Sequence, residues 1–140
     1  MPIGKTNKII AGSGVHHIAI QARDWDASLK LYCDVLGMPV VAKFGPPERK
    51  IWLLDIGDGS HIELFQPLTT TVAPGSPAGN DPVMHLALAT TDTRAATEIV
   101  RAAGYKITVE PKAVQLDTLD VVISFFEGPN GEVLEFFQVN

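Results

Sequence analysis

The chain has 140 residues, the size of one ordinary domain; 46% of them are apolar and 19% are charged. Eleven basic against 16 acidic side chains give a net charge of −5, without a lysine or arginine cluster. This balance argues against nucleic acid or an anionic membrane surface as a partner. The sequence has no apolar run near the roughly 20 residues of a membrane span and no signal peptide, and the single Cys33 cannot form an internal disulfide. We therefore expect a cytoplasmic protein whose function depends on a local site.

The first half of the chain predicts an arm followed by one strand, one helix and three strands. Residues 1–14 are polar, glycine-rich and aperiodic, and predict a flexible N-terminal arm. Residues 15–22 alternate and are rich in β-branched side chains, which is typical of a strand. Asp24 is a candidate N-cap for a helix that ends at Gly37, where a left-handed C-terminal cap is expected. Further strands are predicted at 40–44, 51–56 and 61–66, with a Gly-Asp-Gly turn between the last two.

The second half repeats this layout. Residues 67–82 are rich in Thr, Pro, Gly and Ser and predict a linker. A strand at 83–89 and a helix at 93–103 come next, and the last three strands are predicted near 106–109, 121–126 and 132–139, with a turn at 128–131. We therefore predict an α+β fold of two tandem βαβββ modules, residues 15–66 and 83–138. Because each module is too small for a comfortable core, the two should fold together as one domain spanning 15–138.

The repeat is visible in the residues themselves. The stretch VHHIAI (15–20) corresponds to VMHLAL (83–88), and an aspartate follows the central histidine by seven residues in both copies. Each copy ends on a strand with one acid among apolar residues, HIELF (61–65) and VLEFF (133–137). The conspicuous ionisable residues of the repeat are therefore His17 and Glu63 in the first copy, and His85 and Glu135 in the second.

Strand periodicity places these four residues on one face. Side chains alternate between the two faces of a strand, so each of the four lies opposite its large aliphatic neighbours, and an alanine two residues after each histidine leaves space. Buried ionisable groups must be paired or coordinated. Two imidazoles and two carboxylates suit a divalent cation such as Zn²⁺, Ni²⁺, Fe²⁺, Co²⁺ or Mn²⁺. We predict that His17, Glu63, His85 and Glu135 line one concave face of a curled, mostly antiparallel sheet and bind such an ion.

Other chemically active side chains have simpler interpretations. A single histidine or glutamate on a strand is more often structural than a ligand, so the metal prediction depends on the repetition. His16 is expected on the opposite face, beside Ile18 and Ile20, in a structural role; His61 shares a face with Glu63 and its role stays open. Cys33 belongs to the apolar helical face, with Trp25, Tyr32 and Leu36, and is expected in the core. Candidates for apolar walls of the site are Phe65, Phe137, Trp52 and Phe125.

Four motifs together resemble one known superfamily. HHIAI (16–20), SLKLYCDVLG (28–37), IELF (62–65) and GPNGEVLEF (128–136) are similar to the vicinal oxygen chelate superfamily. This superfamily includes glyoxalase I, methylmalonyl-CoA epimerase, extradiol dioxygenases, and fosfomycin- and bleomycin-resistance proteins. The resemblance covers residues 15–138 and implies paired βαβββ modules curled around a metal, frequently in a dimer. The ligand positions of the superfamily correspond to His17, Glu63, His85 and Glu135.

The ligand set implies a glyoxalase I-like member. Position 63 holds a carboxylate, as in glyoxalase I, whereas the epimerase typically has glutamine there and extradiol dioxygenases and fosfomycin enzymes have no ligand there. Bleomycin-binding members generally lack all four ligands. The resemblance therefore implies a lactoylglutathione lyase-like lyase or isomerase that abstracts a proton next to a metal-chelated carbonyl of a small substrate. Gln66 and Pro67 stand where the better-known glyoxalase I enzymes have a polar glutathione-binding stretch. The identity of the thiol cosubstrate therefore stays open.

The resemblance favours Glu135 as the principal base and Glu63 as its partner, although the residues alone do not rank them. Two alternatives are an Fe(II) extradiol-type dioxygenase, with the carboxylate at position 63 off the metal, and a non-catalytic small-molecule binding or resistance protein. Sheet edges that a partner chain could cover, together with the resemblance, predict a homodimer. The metal and the physiological substrate are not specified.

Overall fold

The structure, a computed structural model, describes residues 4–22, 24–35, 37–66, 83–128 and 133–140. Two helices are present among them: α1 (Trp25–Leu29), which continues as a π-helical segment (Lys30–Val35), and α2 (Thr93–Ala102). The strands are β1 (Gly14–Gln21), β2 (Val40–Phe44), β3 (Ile51–Asp55), β4 (His61–Phe65), β5 (Val83–Ala89), β6 (Ile107–Leu116), β7 (Leu119–Glu127) and β8 (Val133–Val139). This confirms the predicted α+β class and the βαβββ order of both halves; the predicted linker, and the turn at 128–131 beyond its first residue, lie outside the described residues.

All eight strands form one sheet in the order β2-β3-β4-β1-β5-β8-β7-β6. The strands of the second half mirror those of the first, and the two halves meet where β1 pairs antiparallel with β5. Only β1 with β4 and β5 with β8 pair in parallel, so the sheet is mostly antiparallel, as predicted. It curls far enough that the backbone amide of Lys43 in β2 donates to the Asp117 carboxylate beyond β6, over 3.3 Å.

Capping residues delimit both helices, and those of the first, Asp24 and Gly37, were predicted. The side chains of Asp24 and Asp92 each accept a backbone amide three residues on, at 3.0 and 2.9 Å, which satisfies donors that the first turn leaves unpaired. Gly37 and Gly104 follow the helical segments with φ of +73° and +94°, a backbone region that glycine enters without steric cost. The expected uninterrupted α-helix from Asp24 to Gly37 is wrong beyond Leu29, because the hydrogen bonding there widens to the π pattern.

Both helices pack on the convex face of the sheet. Trp25, Tyr32 and Cys33 pack against a buried cluster of sheet residues, Ala22, Leu54, Ile62 and Leu64. This confirms the predicted core role of Cys33, and burial raises the pKa of its thiol; Leu36 lies outside the described residues. Ala96 of α2 packs on Phe126 and Phe136 in the same way. Within the described part of the chain, the concave face is therefore free of helices.

The outer strand β6 extends well beyond the predicted 106–109 and forms a tight hairpin with β7. Pro111 lies within β6, which is possible because β6 is an edge strand and the ladder shifts register between Val109 and Lys112. Asp117 makes the turn with a φ of +54°. Since no glycine marks this turn, the sequence lacked the usual signal for it.

The N-terminal residues contact the second half of the chain. The carbonyl of Ala11 accepts hydrogen bonds from the Thr90 hydroxyl and the Thr91 amide, at 3.1 and 3.0 Å. Ile10 packs against the α2 core. These contacts fix the end of the arm that leads into β1. Among the described residues, no helix has the length and apolar character needed to cross a membrane.

Candidate metal centre

Four neighbouring strands at the centre of the sheet each supply one ionisable side chain to the concave face. In sheet order these are Glu63 from β4, His17 from β1, His85 from β5 and Glu135 from β8. All four are buried or nearly so: His17 is 0% exposed, Glu63 6% and Glu135 3%, and the His85 side chain is 10% exposed. The structure therefore brings together the four residues that the repeat and strand periodicity selected.

Two carboxylate oxygens lie close to the two imidazole nitrogens of the cluster. The Nε2 atoms of His17 and His85 are 3.0 Å apart. Glu135 Oε2 lies 3.0 and 3.1 Å from these two nitrogens, and Glu63 Oε2 lies 3.2 and 3.3 Å from them. All four side chains belong to one chain, so a second copy is not needed to complete the cluster.

The strand register explains why the cluster has room. On β5, His85 lies opposite Ala19, and on β1, His17 lies opposite Ala87. Ala19 is also beside Glu63 across the β1–β4 ladder, while Ala87 is beside Glu135 across the β5–β8 ladder. Cross-strand neighbours on one face are only about 4.5–5.5 Å apart at Cβ. Because Ala19 and Ala87 have only a methyl group, they leave a space between the four longer side chains. A larger residue at either position would fill that space.

The charges of the cluster control its protonation. Burial alone would lower the pKa of His17, but the adjacent carboxylates of Glu135 and Glu63 outweigh it and raise the pKa to about 9. The same two carboxylates also raise the pKa of His85, although burial acts in the opposite direction. Burial would raise the pKa of Glu63, but the two imidazoles lower it to about 2. Without a cation, these shifts favour a protonated His17 ring beside an ionised Glu63 carboxylate at neutral pH.

The donor set and its spacing fit a divalent cation. Although Glu63 Oε2 and Glu135 Oε2 are so near the imidazoles, both lack a hydrogen-bond partner among the described residues, which is costly for buried oxygens. Ligand atoms about 2.0–2.2 Å from one ion lie roughly 3–3.5 Å from each other, depending on the coordination geometry. The observed separations of 3.0–3.3 Å fall in this range. His17, His85 and Glu135 offer ligand atoms all within 4.8 Å of one another. Glu63 Oε2 is close to both imidazole nitrogens but does not belong to this mutually close group.

His16 is placed differently from the expectation. It was predicted beside Ile18 and Ile20 on the convex face, but its Nδ1 lies 2.8 Å from Nδ1 of His17. The reason is a β-bulge, since Val15 pairs with Leu88 and His17 with the adjacent Ala87, which leaves His16 without a counterpart on β5. Strict alternation therefore fails at His16.

His61 contacts His16 instead of the four-residue cluster. The two rings stack with centroids 4.8 Å apart, and His61 Nδ1 donates to the His16 carbonyl at 3.2 Å. His61 thus lies on the predicted face, in contact with a neighbour of the cluster.

Aromatic rings border the cluster on three sides. Phe125 and Phe65 contact the His85 ring at centroid distances of 5.3 and 6.4 Å, and Phe137 contacts the His17 ring at 5.0 Å. The prediction that Trp52 joins this wall is wrong, because Trp52 packs on Trp25 on the convex face. Its neighbour Leu53, which pairs with Glu63, takes the position on the concave face.

Sequence comparison identifies relatives of this chain. A sequence model of the glyoxalase/bleomycin resistance protein/dioxygenase superfamily matches residues 14–136. A probable lactoylglutathione lyase from Synechocystis is 30% identical over 125 residues, which cover 89% of this chain and 94% of the relative. A lactoylglutathione lyase from Haemophilus influenzae is 32% identical over 124 residues, covering 87% and 90% of the two chains.

Structural comparison finds the same fold. The crystal structure of methylmalonyl-CoA epimerase from Mycobacterium tuberculosis superimposes with a TM-score of 0.73 at 22% sequence identity, over 96% of this chain and 92% of the epimerase. At this identity the likeness concerns the fold. The family match, in contrast, spans most of the chain. This chain therefore belongs to the glyoxalase/bleomycin resistance protein/dioxygenase superfamily, also called the vicinal oxygen chelate superfamily.

Proposed function

We propose that the chain is a metal-dependent, glyoxalase I-like lyase or isomerase that moves a proton next to a carbonyl group of a small substrate. The observation that supports this proposal is that the Nε2 atoms of two imidazoles are 3.0 Å apart on the buried concave face, and that one Oε2 atom of each carboxylate lies 3.0–3.3 Å from both nitrogens. Relatives named lactoylglutathione lyase, at 30% and 32% identity, support the same reaction class.

His17, Glu63, His85 and Glu135 would hold the cation. A bound divalent ion supplies Lewis acidity, which polarises a substrate carbonyl and stabilises negative charge that develops on its oxygen. Among the described residues the Oε2 atoms of Glu63 and Glu135 have no hydrogen-bond partner, so either carboxylate can accept a proton from a substrate carbon placed beside it. We assign this role to Glu135, with Glu63 as its partner across the cluster.

The surroundings of the cluster suit this proton transfer. The rings of Phe65, Phe125 and Phe137 border the imidazoles, and Leu53 is 2% exposed beside Glu63. Such a wall excludes water and strengthens the electrostatic effect of every nearby charge. A proton held by a carboxylate here would return to a neighbouring substrate carbon more readily than it would exchange with bulk water.

Two other functions compete with this one. An Fe(II) extradiol-type dioxygenase would keep the Glu63 carboxylate off the metal and use His17, His85 and Glu135, whose ligand atoms all lie within 4.8 Å of one another. Glu63 Oε2 nevertheless lies only 3.2 and 3.3 Å from the two imidazole nitrogens, close enough to join them as a fourth ligand. A non-catalytic binding or resistance protein would not require a buried ionisable cluster, whose desolvation is costly without a cation or reaction to use it. Both observations favour the lyase or isomerase.

The purified protein is expected to bind about one divalent ion per chain. His85→Ala or Glu135→Ala removes one of four ligands and should lower occupancy strongly, and the His17→Ala/His85→Ala double variant should abolish it. Glu98→Ala is the matched control, since Glu98 is an exposed glutamate on α2, away from the cluster, and it should keep full occupancy. Elemental analysis after purification without chelator measures this. Full occupancy in the double variant would rule out this site.

Metal uptake at neutral pH is expected to release protons. The pKa of His17 is about 9 in the metal-free protein, so its ring is protonated at pH 7 and must lose a proton before Nε2 binds a cation. Affinity should therefore fall as the pH decreases below this pKa, by roughly tenfold per pH unit for each proton released. Calorimetric titration with Zn²⁺ in two buffers of different ionisation enthalpy counts the protons. Identical enthalpies in both buffers would contradict this expectation.

Glu135→Gln should separate the base from the ion. The amide preserves the shape of the side chain but cannot take up a proton, so kcat should fall by about 10²–10⁴-fold with a much smaller change in KM. The matched variant Glu63→Gln should lose less. Suitable substrates are hemithioacetals of methylglyoxal with small thiols and 2-substituted acyl thioesters, assayed for isomerisation and for exchange of the α-proton with solvent.

The assay also distinguishes the competing functions. Stoichiometric oxygen uptake with a catechol and Fe²⁺ would contradict the lyase or isomerase and favour the dioxygenase. A larger loss of kcat in Glu63→Gln than in Glu135→Gln would exchange the roles of the two carboxylates. Metal binding without turnover of either substrate class would favour the binding protein.

We also propose that the protein is a homodimer. β2 and β6 are the outermost strands of the sheet, and unpaired edges of this kind favour association with another chain. Light scattering at micromolar concentration should give twice the mass of one chain. A monomer mass would contradict the dimer and leave the metal site unaffected, because all four ligands come from one chain.

A further inference from the structure

A second imidazole lies directly behind the imidazole of His17. The two Nδ1 atoms of His16 and His17 are 2.8 Å apart, a normal hydrogen-bond length for nitrogen. The same His17 ring directs its Nε2 into the four-residue cluster, 3.0 Å from Glu135 Oε2. His16 is 1% exposed, so bulk water does not compete with this ring-to-ring hydrogen bond.

The position of the His16 ring is fixed from several directions. Its ring packs against Phe137 on one side, with centroids 4.0 Å apart and 30° between the planes. His61 stacks on it at 4.8 Å and 27°. The His61 Nδ1–H also donates to the His16 carbonyl at 3.2 Å, which ties the bulged backbone to β4. A ring held in this way can orient its hydrogen-bond partner.

The role of His17 in the cluster determines which of the two rings donates the hydrogen bond between His16 and His17. One of the two Nδ1 atoms must carry the hydrogen and the other must accept it. A cation takes a lone pair on Nε2 of His17, and a neutral imidazole with a lone pair on Nε2 has its hydrogen on Nδ1. His17 therefore donates and His16 accepts.

We propose that His16 is a positioning residue, whose Nδ1 accepts the hydrogen of His17 Nδ1 and so holds the His17 ring in the tautomer and orientation that binds a cation through Nε2. This inference rests on the metal site of the proposed function. The outer partner of a metal-binding histidine is usually a carboxylate, a carbonyl or water; here it is a neutral imidazole. Nothing in the repeat predicts it, because Met84 has the corresponding place before His85.

Two variants at position 16 separate the hydrogen bond from the packing. His16→Phe keeps a flat ring between Phe137 and His61 but removes the acceptor, and should weaken Zn²⁺ or Co²⁺ binding by about 10–100-fold. His16→Asn restores an acceptor near the position of Nδ1 and should recover most of the affinity. Dissociation constants are measured by competition with a chromogenic chelator, and the near-ultraviolet circular dichroism of the metal-free variants checks their folding.

A measurement on the unsubstituted protein keeps the test independent of folding. In ¹⁵N-labelled, zinc-loaded protein, NMR should find the shared hydrogen on His17 Nδ1, with a scalar coupling to His16 Nδ1 and slow exchange with water. A hydrogen on His16 Nδ1, or equal affinity in His16→Phe and the parent chain, would overturn the proposal. If the parent chain binds no divalent metal at all, the proposed function itself fails, which is a distinguishable result.

Discussion

The antiparallel pairing of β1 with β5 is the constraint on which the site depends. It places His17 opposite Ala87 and His85 opposite Ala19, so the two histidines lie diagonally across the middle of the sheet with their Nε2 atoms 3.0 Å apart. A shift of this register by one residue would turn both histidines to the helix-covered face. The parallel partners β4 and β8 then add one carboxylate at each side, and no loop is needed to build the cluster.

Burying the cluster lowers the stability of the fold. Removing several ionised groups from water costs several kcal/mol each unless they compensate one another. In the metal-free protein the compensation is internal, as the raised pKa of His17 and the lowered pKa of Glu63 indicate. It is incomplete, because two buried carboxylate oxygens have no hydrogen-bond partner among the described residues. A bound cation would compensate the buried negative charge and would give both oxygens a partner. The geometry therefore suits cation binding better than a purely stabilising role.

The sequence predicted that these four side chains share one face because the duplication and the two-residue period of strands reinforce each other. It predicted the helix caps at Asp24 and Gly37 for an equally local reason, since capping depends on a few adjacent residues. It failed where one residue interrupts a regular pattern. The bulge at His16, the widened turn after Leu29 and the glycine-free hairpin at Asp117 each depend on packing against distant strands, which one sequence does not display.

The two halves of the duplication have diverged around the same ligand pattern. On the side of the first module, His17 is fully buried and its ring is held by His16. On the side of the second module, Met84 replaces that partner, and the His85 side chain keeps 10% of its surface exposed between aromatic rings. Twofold repetition thus places equivalent imidazoles in the cluster. Divergence leaves the first one fully buried and hydrogen-bonded to a second ring, and the other one slightly exposed.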